Sequence, residues 1–198
     1  MSLLFESIHI KAGLPQRLEY HQDRVNRSRQ EVFGIRDEMN IASHINVPGT
    51  FCKGHVKCRM IYGKDIFDIQ YETYFEKQPA RIKLIESDIR YPLKFVDRTA
   101  FQTMRDTHPG FDDIIFTRNG YLTDSTYCNL LFLRQGIWYT PATPLLPGTQ
   151  RAYLLQSGRI KAMPIHVGEV NQFEAVMLIN AMLDFNPSRA LSINILSY

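Results

Sequence analysis

Cysteine is scarce in this chain and widely separated: Cys52, Cys58 and Cys128 form an odd set without C-x-x-C spacing. That excludes a disulfide-dense secreted scaffold and is expected of reduced thiols in a cytoplasmic protein. No apolar run approaches the length of a membrane span, and the opening residues lack the basic start and apolar stretch of a secretion signal. Long basic blocks are missing too. The formal charge of +3 is spread along the sequence, which leaves no electrostatic footprint for nucleic acid and suits an acidic small molecule better. The 6 histidines show no metal-ligand spacing with one another or with the cysteines, so no metal is expected. There is no G-x-S-x-G elbow, P-loop or G-x-G-x-x-G, so nucleophilic-serine, nucleotide and dinucleotide chemistries have no motif to rest on.

What is present is a chain of 198 residues, 44% hydrophobic, enough to bury a core as one domain or as two small lobes sharing a cleft. Residues 3 to 10 read as a strand. After Gly13 and Pro15, Leu18, Val25 and Val32 fall at roughly helical spacing in a segment from Arg17 to Phe33, with Gly34 as its stop. His55 to Tyr62 and Ile66 to Phe75 read as a hairpin around Gly63-Lys64-Asp65, and Ala80 to Glu86 as a third strand. Glu86 to Leu93, with Tyr91-Pro92, is the linker, followed by an expected helix from Phe95 to about Arg105. The lobe boundary is placed there, giving a smaller lobe over 1–88 and a larger one over 89–198. Asp113 to Thr117, the turn Asn119-Gly120, a hairpin around Gln135-Gly136, a helix over 149 to 157 and strands near 159 to 165 and 175 to 180 complete the chain. Strands and helices alternate without repeats, which favours an α/β or α+β two-lobe enzyme with a mixed sheet over an all-β barrel.

Five segments, taken in order, carry the chemistry. His21-Gln22-Asp23-Arg24-Val25 resembles an H-x-x-R-L element whose arginine holds a phosphate; Arg24 has the planar fork for it, though by itself the segment also reads as a solvated helix face. Leu93-Lys94-Phe95-Val96-Asp97-Arg98 offers a lysine with an arginine four positions on, or otherwise an exposed lysine after a proline. Asn119-Gly120-Tyr121-Leu122-Thr123-Asp124, continuing to Asn129-Leu130-Leu131-Phe132, is similar to a G-x-(V/I)-(T/S)-E-x-x-x-x-N-(L/I)-F strand with Asp124 in the glutamate position. Thr140-Pro141 with Leu146-Pro147-Gly148-Thr149-Gln150-Arg151 resembles T-P…L-x-G-I-T-R, where glycine and the start of the following helix form an anion site. Val176 to Met182 resembles a strand ending in N-A-L at Asn180-Ala181.

Together these segments resemble the class IV aminotransferase and 4-amino-4-deoxychorismate lyase family. The resemblance implies the D-amino-acid aminotransferase-like, two-lobe fold type IV of pyridoxal-phosphate enzymes, with a shortened N-terminal lobe, since family members carry a further segment ahead of the first strand. It implies pyridoxal 5'-phosphate as cofactor, Lys94 as the catalytic lysine that condenses with its aldehyde, and Arg24, Lys94, Asp124, Asn129, Gly148, Thr149, Asn180 and Ala181 as cofactor-binding residues. Arg59 stands where some members receive a substrate carboxylate. The expected partners are an amino-acid-like small molecule and a second copy in a homodimer, with neither nucleic acid nor membrane. The N-A-L-like ending tilts the expected reaction toward release of pyruvate from 4-amino-4-deoxychorismate. The alternatives are transamination of a branched-chain or D-amino acid, and a family-fold protein that binds cofactor without turnover.

Overall fold

In the first strand, β1 (Leu4–Lys11), the even positions Leu4, Glu6, Ile8 and Ile10 are all essentially buried, as the two-residue period of a strand requires of its core face. β1 forms a short hairpin with β2 (Leu14–Pro15) and leads into helix α1 (Leu18–Phe33). A long connection with two 3-10 turns then reaches β3 (Val56–Tyr62), which pairs antiparallel along β1 from Leu4↔Tyr62 to Ile10↔Val56, and β4 (Ile66–Thr73) pairs antiparallel with β3. The sheet order is β2-β1-β3-β4. Val25 of α1 packs with Leu4, Ile8, Ile10, Val56, Cys58, Met60 and Tyr62 into one core. This is a computed structural model, and it describes residues 3–198.

The chain forms two compact units. The first runs to Glu76 and takes back Leu93–Asp97; the second holds Lys77–Pro92 and Arg98–Tyr198. A single boundary at 88/89, with the lysine in the second lobe, therefore does not describe the chain. The cause is local pairing. Leu4 bridges Phe95, the Phe5 N–H donates to the Lys94 carbonyl at 2.9 Å, the Val96 N–H donates to the Leu3 carbonyl at 2.9 Å, and Leu93 joins the first unit's core. The same pairing keeps 93–97 out of a helix, so the helix expected from Phe95 starts only at α2 (Thr99–Asp106) after β5 (Ile82–Glu86).

In the second unit β5 pairs parallel with β6 (Asp113–Arg118), which turns through Asn119 and Gly120, both at positive φ, into antiparallel β7 (Tyr121–Ser125). Then come β8 (Asn129–Arg134), β9 (Ile137–Pro141), α3 (Thr149–Gln156), β10 (Lys161–Met163) and β11 (Ala175–Ile179), followed by the short β12 (Leu191–Ser192) and β13 (Leu196–Ser197). One sheet has the order β10-β9-β8-β11-β12, the other β13-β5-β6-β7, each with both parallel and antiparallel pairs. This is a mixed α/β fold. Among the described residues no helix is long and apolar enough to cross a membrane.

Candidate active site

Each unit carries its own set of chemical groups. In the first, Glu6 lies on the core face of β1, fully buried, opposite α1. His21 and Arg24 sit one helical turn apart on α1 and both turn toward it. Arg24 Nε donates to Glu6 Oε1 at 2.8 Å and Nη2 to Oε2 at 2.5 Å, while His21 Nδ1 lies 2.6 Å from Oε2. Burial alone would lift the Glu6 carboxyl, but the Arg24 charge and the His21 and Arg24 hydrogen bonds overturn it and bring it down to about 2. His21 is held below its ordinary value, chiefly by burial, with the Arg24 and Lys94 charges opposing protonation and Glu6 favouring it. Arg24 is thus no solvated helix residue: it is 5% exposed. A phosphate at Arg24 has to share the guanidinium with Glu6.

The other face of β1 presents Phe5. Lys94 Nζ lies 4.5 Å from the Phe5 ring centroid, and the Arg59 guanidinium carbon 4.2 Å from it. Arg59 reaches the ring because β3 pairs Arg59 with Ser7, two residues along from Phe5. Lys94 is half-buried rather than exposed, its backbone tied to β1 and its amine drawn to an aromatic face. Phe5 and Glu6 were not anticipated as functional residues. A signal for Glu6 existed: a carboxylate in phase with Leu4, Ile8 and Ile10 falls on the core face and needs a cation there.

In the second unit, Asp124 is inside β7 and 4% exposed. Its Oδ1 accepts from Asn129 Nδ2 at 2.8 Å and its Oδ2 from the Leu146 N–H at 2.9 Å. Burial pushes its carboxyl up to about 6, against the pull of those two donors and of the Arg151 charge. Asn129 Nδ2 also donates to the Leu146 carbonyl at 2.9 Å, so the amide expected on the cofactor spends its hydrogens inside the protein. Gly148 is the N-cap of α3 and, lacking a side chain, supplies no side-chain cap; Thr149 is the helix's first residue. Asn180 directly follows β11, where its Oδ1 accepts from the N–H groups of Met182 and Leu183 at 2.8 and 3.0 Å and its Nδ2 reaches Cys128 Sγ at 3.3 Å. Its side chain fixes the turn, so any ligand contact at Asn180-Ala181 falls to the backbone.

Two features test whether these groups suit a phosphorylated pyridine. At the second position of α3, Gln150 is 2% exposed and its Oε1 has no hydrogen-bond partner. The two ends of an amide are assigned by their partners, and the turned amide adds an N–H donor near the start of α3. Asp124 accepts from Asn129 on one oxygen and from Leu146 on the other, with the Leu145 N–H also acting on it, and a carboxylate has room for about four such bonds, so a ring N–H can be added. The residues fit the group.

A family model described as Amino-transferase class IV matches residues 94–191. An uncharacterized protein of Haemophilus influenzae is 37% identical over 186 residues, 90% of this chain and 97% of that protein. Among solved structures, a candidate 4-amino-4-deoxychorismate lyase from Haemophilus somnus superposes with a TM-score of 0.83 at 33% identity, covering 93% of this chain and 98% of that one. A fold IV transaminase from Curtobacterium pusillum gives 0.73 at 19% identity, over 96% of this chain and 75% of that one. The pyridoxal-phosphate-bound form of a hypothetical aminotransferase from Mycobacterium tuberculosis gives 0.77 at 13% identity, over 98% and 81%. The last two share the fold. With its full-length relatives and the family match beginning at Lys94, the chain belongs to the class IV aminotransferase family.

Proposed function

We propose that this protein binds pyridoxal 5'-phosphate and releases pyruvate from 4-amino-4-deoxychorismate, leaving 4-aminobenzoate. The observation that carries the reading is the Lys94 amine, half-buried and set with Arg59 against the ring of Phe5. When bound, the cofactor supplies an aldehyde that captures the substrate amine and a ring that takes up the electron pair left on the amine-bearing carbon. Lys94 Nζ accepts the proton from that carbon. Arg59 receives a substrate carboxylate with its planar fork. Asp124 would pair with the pyridine nitrogen and keep it protonated, and the N–H groups opening α3, with Gly148 and Thr149, would hold the phosphate. Arg24 adds its charge to the phosphate while shared with Glu6.

Two things support the lyase over the transaminase: Asn180-Ala181 directly after β11, and the name carried by the Haemophilus somnus protein, which is 33% identical. We assign the protein to the cytoplasm as a homodimer, on the family resemblance. The test is incubation with 4-amino-4-deoxychorismate and cofactor, with no oxo acid present. Pyruvate and 4-aminobenzoate should appear in equal amounts, and Lys94→Ala should lose at least about a thousandfold of the rate, as expected when a covalent catalytic amine is removed. Amino transfer from an amino acid to an oxo acid, without pyruvate release, would replace this reading with the transaminase.

A further inference from the structure

We infer that Asn129 is a positioning residue: its side-chain amide fixes the Asp124 carboxylate to the loop that opens α3, so that the acid and the anion site are held as one piece. The inference rests on the proposed cofactor reading for its purpose, and on the geometry of the second unit for its substance.

Three groups close a ring of hydrogen bonds. Asn129 Nδ2 donates to Asp124 Oδ1 at 2.8 Å and to the Leu146 carbonyl at 2.9 Å, and the Leu146 N–H returns to Asp124 Oδ2 at 2.9 Å. One residue of the loop therefore meets the carboxylate through its N–H and the amide through its carbonyl. An asparagine amide has two N–H hydrogens, and both are engaged, so Asn129 has no further donor to offer a bound ring or phosphate. On its other side Asn129 Oδ1 lies against Gly148, where even a methyl group would fall well inside contact distance. Asn129 and Asp124 are both at least nine-tenths buried, a setting in which a satisfied polar network is rigid. The consequence is geometric. Aspartate reaches one methylene less far than the glutamate of the family pattern, and the clamp decides where its oxygens stand relative to the first turn of α3. The charged group acting on Asp124 is Arg151, from α3; its other partners are the Asn129 amide and the N–H groups of Leu145 and Leu146.

The test uses the full-length chain and two readouts: the titration midpoint of Asp124, followed by NMR of its labelled carboxyl without cofactor, and the affinity for pyridoxal 5'-phosphate, followed by fluorescence. Asn129→Ala removes a donor that favours the charged carboxylate, so the midpoint should rise by about one pH unit, and the cofactor should bind roughly tenfold more weakly. Gly148→Ala keeps both polar residues in the chain but puts a methyl group on top of Asn129 Oδ1, so the amide must shift off the carboxylate; it should move the midpoint in the same direction. If Asn129→Ala does not fold, Asn129→Ser and Gly148→Ala carry the same readings. A folded Asn129→Ala protein with an unmoved Asp124 midpoint and unchanged affinity overturns the proposal, whatever its melting temperature. A parent protein that binds no pyridoxal 5'-phosphate, while the midpoint still moves in the variants, sinks the cofactor reading and leaves the clamp standing.

Discussion

Gln150 holds a buried amide oxygen with no partner, where the family pattern has threonine. Leaving such a group unsatisfied costs about 1–3 kcal/mol. Gln150→Leu keeps the volume and removes the orphaned oxygen, so the ligand-free protein should melt several degrees higher, at roughly 2–4 °C per kcal/mol for a chain of this size. The same variant should bind pyridoxal 5'-phosphate several-fold more weakly, because an amide that can turn its N–H toward the start of α3 is gone. A melting temperature that falls, or an affinity that holds, would show that the amide has another role. Residues like this mark where the sequence stopped being legible. Lys94 could be singled out from its own neighbours, and Glu6 was in principle readable from strand period. The role of Asn129 was not, because its partner Leu146 lies 17 positions away and joins it only once β8 and the loop before α3 have formed.

At the scale of elements, local chemistry was informative wherever a turn or a cap fixed it. Gly34 ends α1 in the left-handed region at φ 70, its N–H bonded to the Gln30 carbonyl at 3.0 Å while the Ile35 N–H reaches back to Arg29 at 3.4 Å. Nothing lies within 4 Å of the place where a Cβ would stand. Gly34→Ala should therefore cost only the backbone penalty of that region, about 1 kcal/mol, with thermal unfolding as the check. Gly148 makes the contrast: its φ of −72 suits any residue, and what forbids a side chain there is Asn129. The strands of the first hairpin were legible for a related reason, since β3 alternates buried and half-buried residues along its whole length. The segment 93–97 was not. Its apolar spacing permits a helix, and it is the pairing with β1, distant in sequence, that ties its backbone elsewhere. The tail after β11 is short strands and 3-10 turns and has no period to read.

At the scale of the whole chain, the two units carry buried carboxyls shifted in opposite directions. Glu6, in the first, is lowered from 4.5 to about 2 by Arg24 and His21 against the cost of burial. A carboxyl with a depressed folded value binds its proton more readily when unfolded, so its contribution is present above pH 4.5 and is lost as the pH falls toward 2. Asp124, in the second, is raised by burial from 3.8 to about 6, and burial raises Asp113 of β6 as well. For these the folded state takes the proton first, so the second unit gains stability as the pH falls from 6 toward 3.8. Acid should therefore act on the units in opposite senses. Hydrogen exchange, corrected for the pH dependence of intrinsic rates, should show β1 and β3 losing protection below pH 4.5 while β7 and β8 keep theirs. Glu6→Gln should remove that acid sensitivity and lower the first unit's stability at neutral pH by about 3–5 kcal/mol, because it leaves Arg24 buried without its counter-charge. Simultaneous loss of protection in all four strands, or a Glu6→Gln protein with the parent's acid profile, would mean that the Glu6 ion pair does not set the acid limit of the fold.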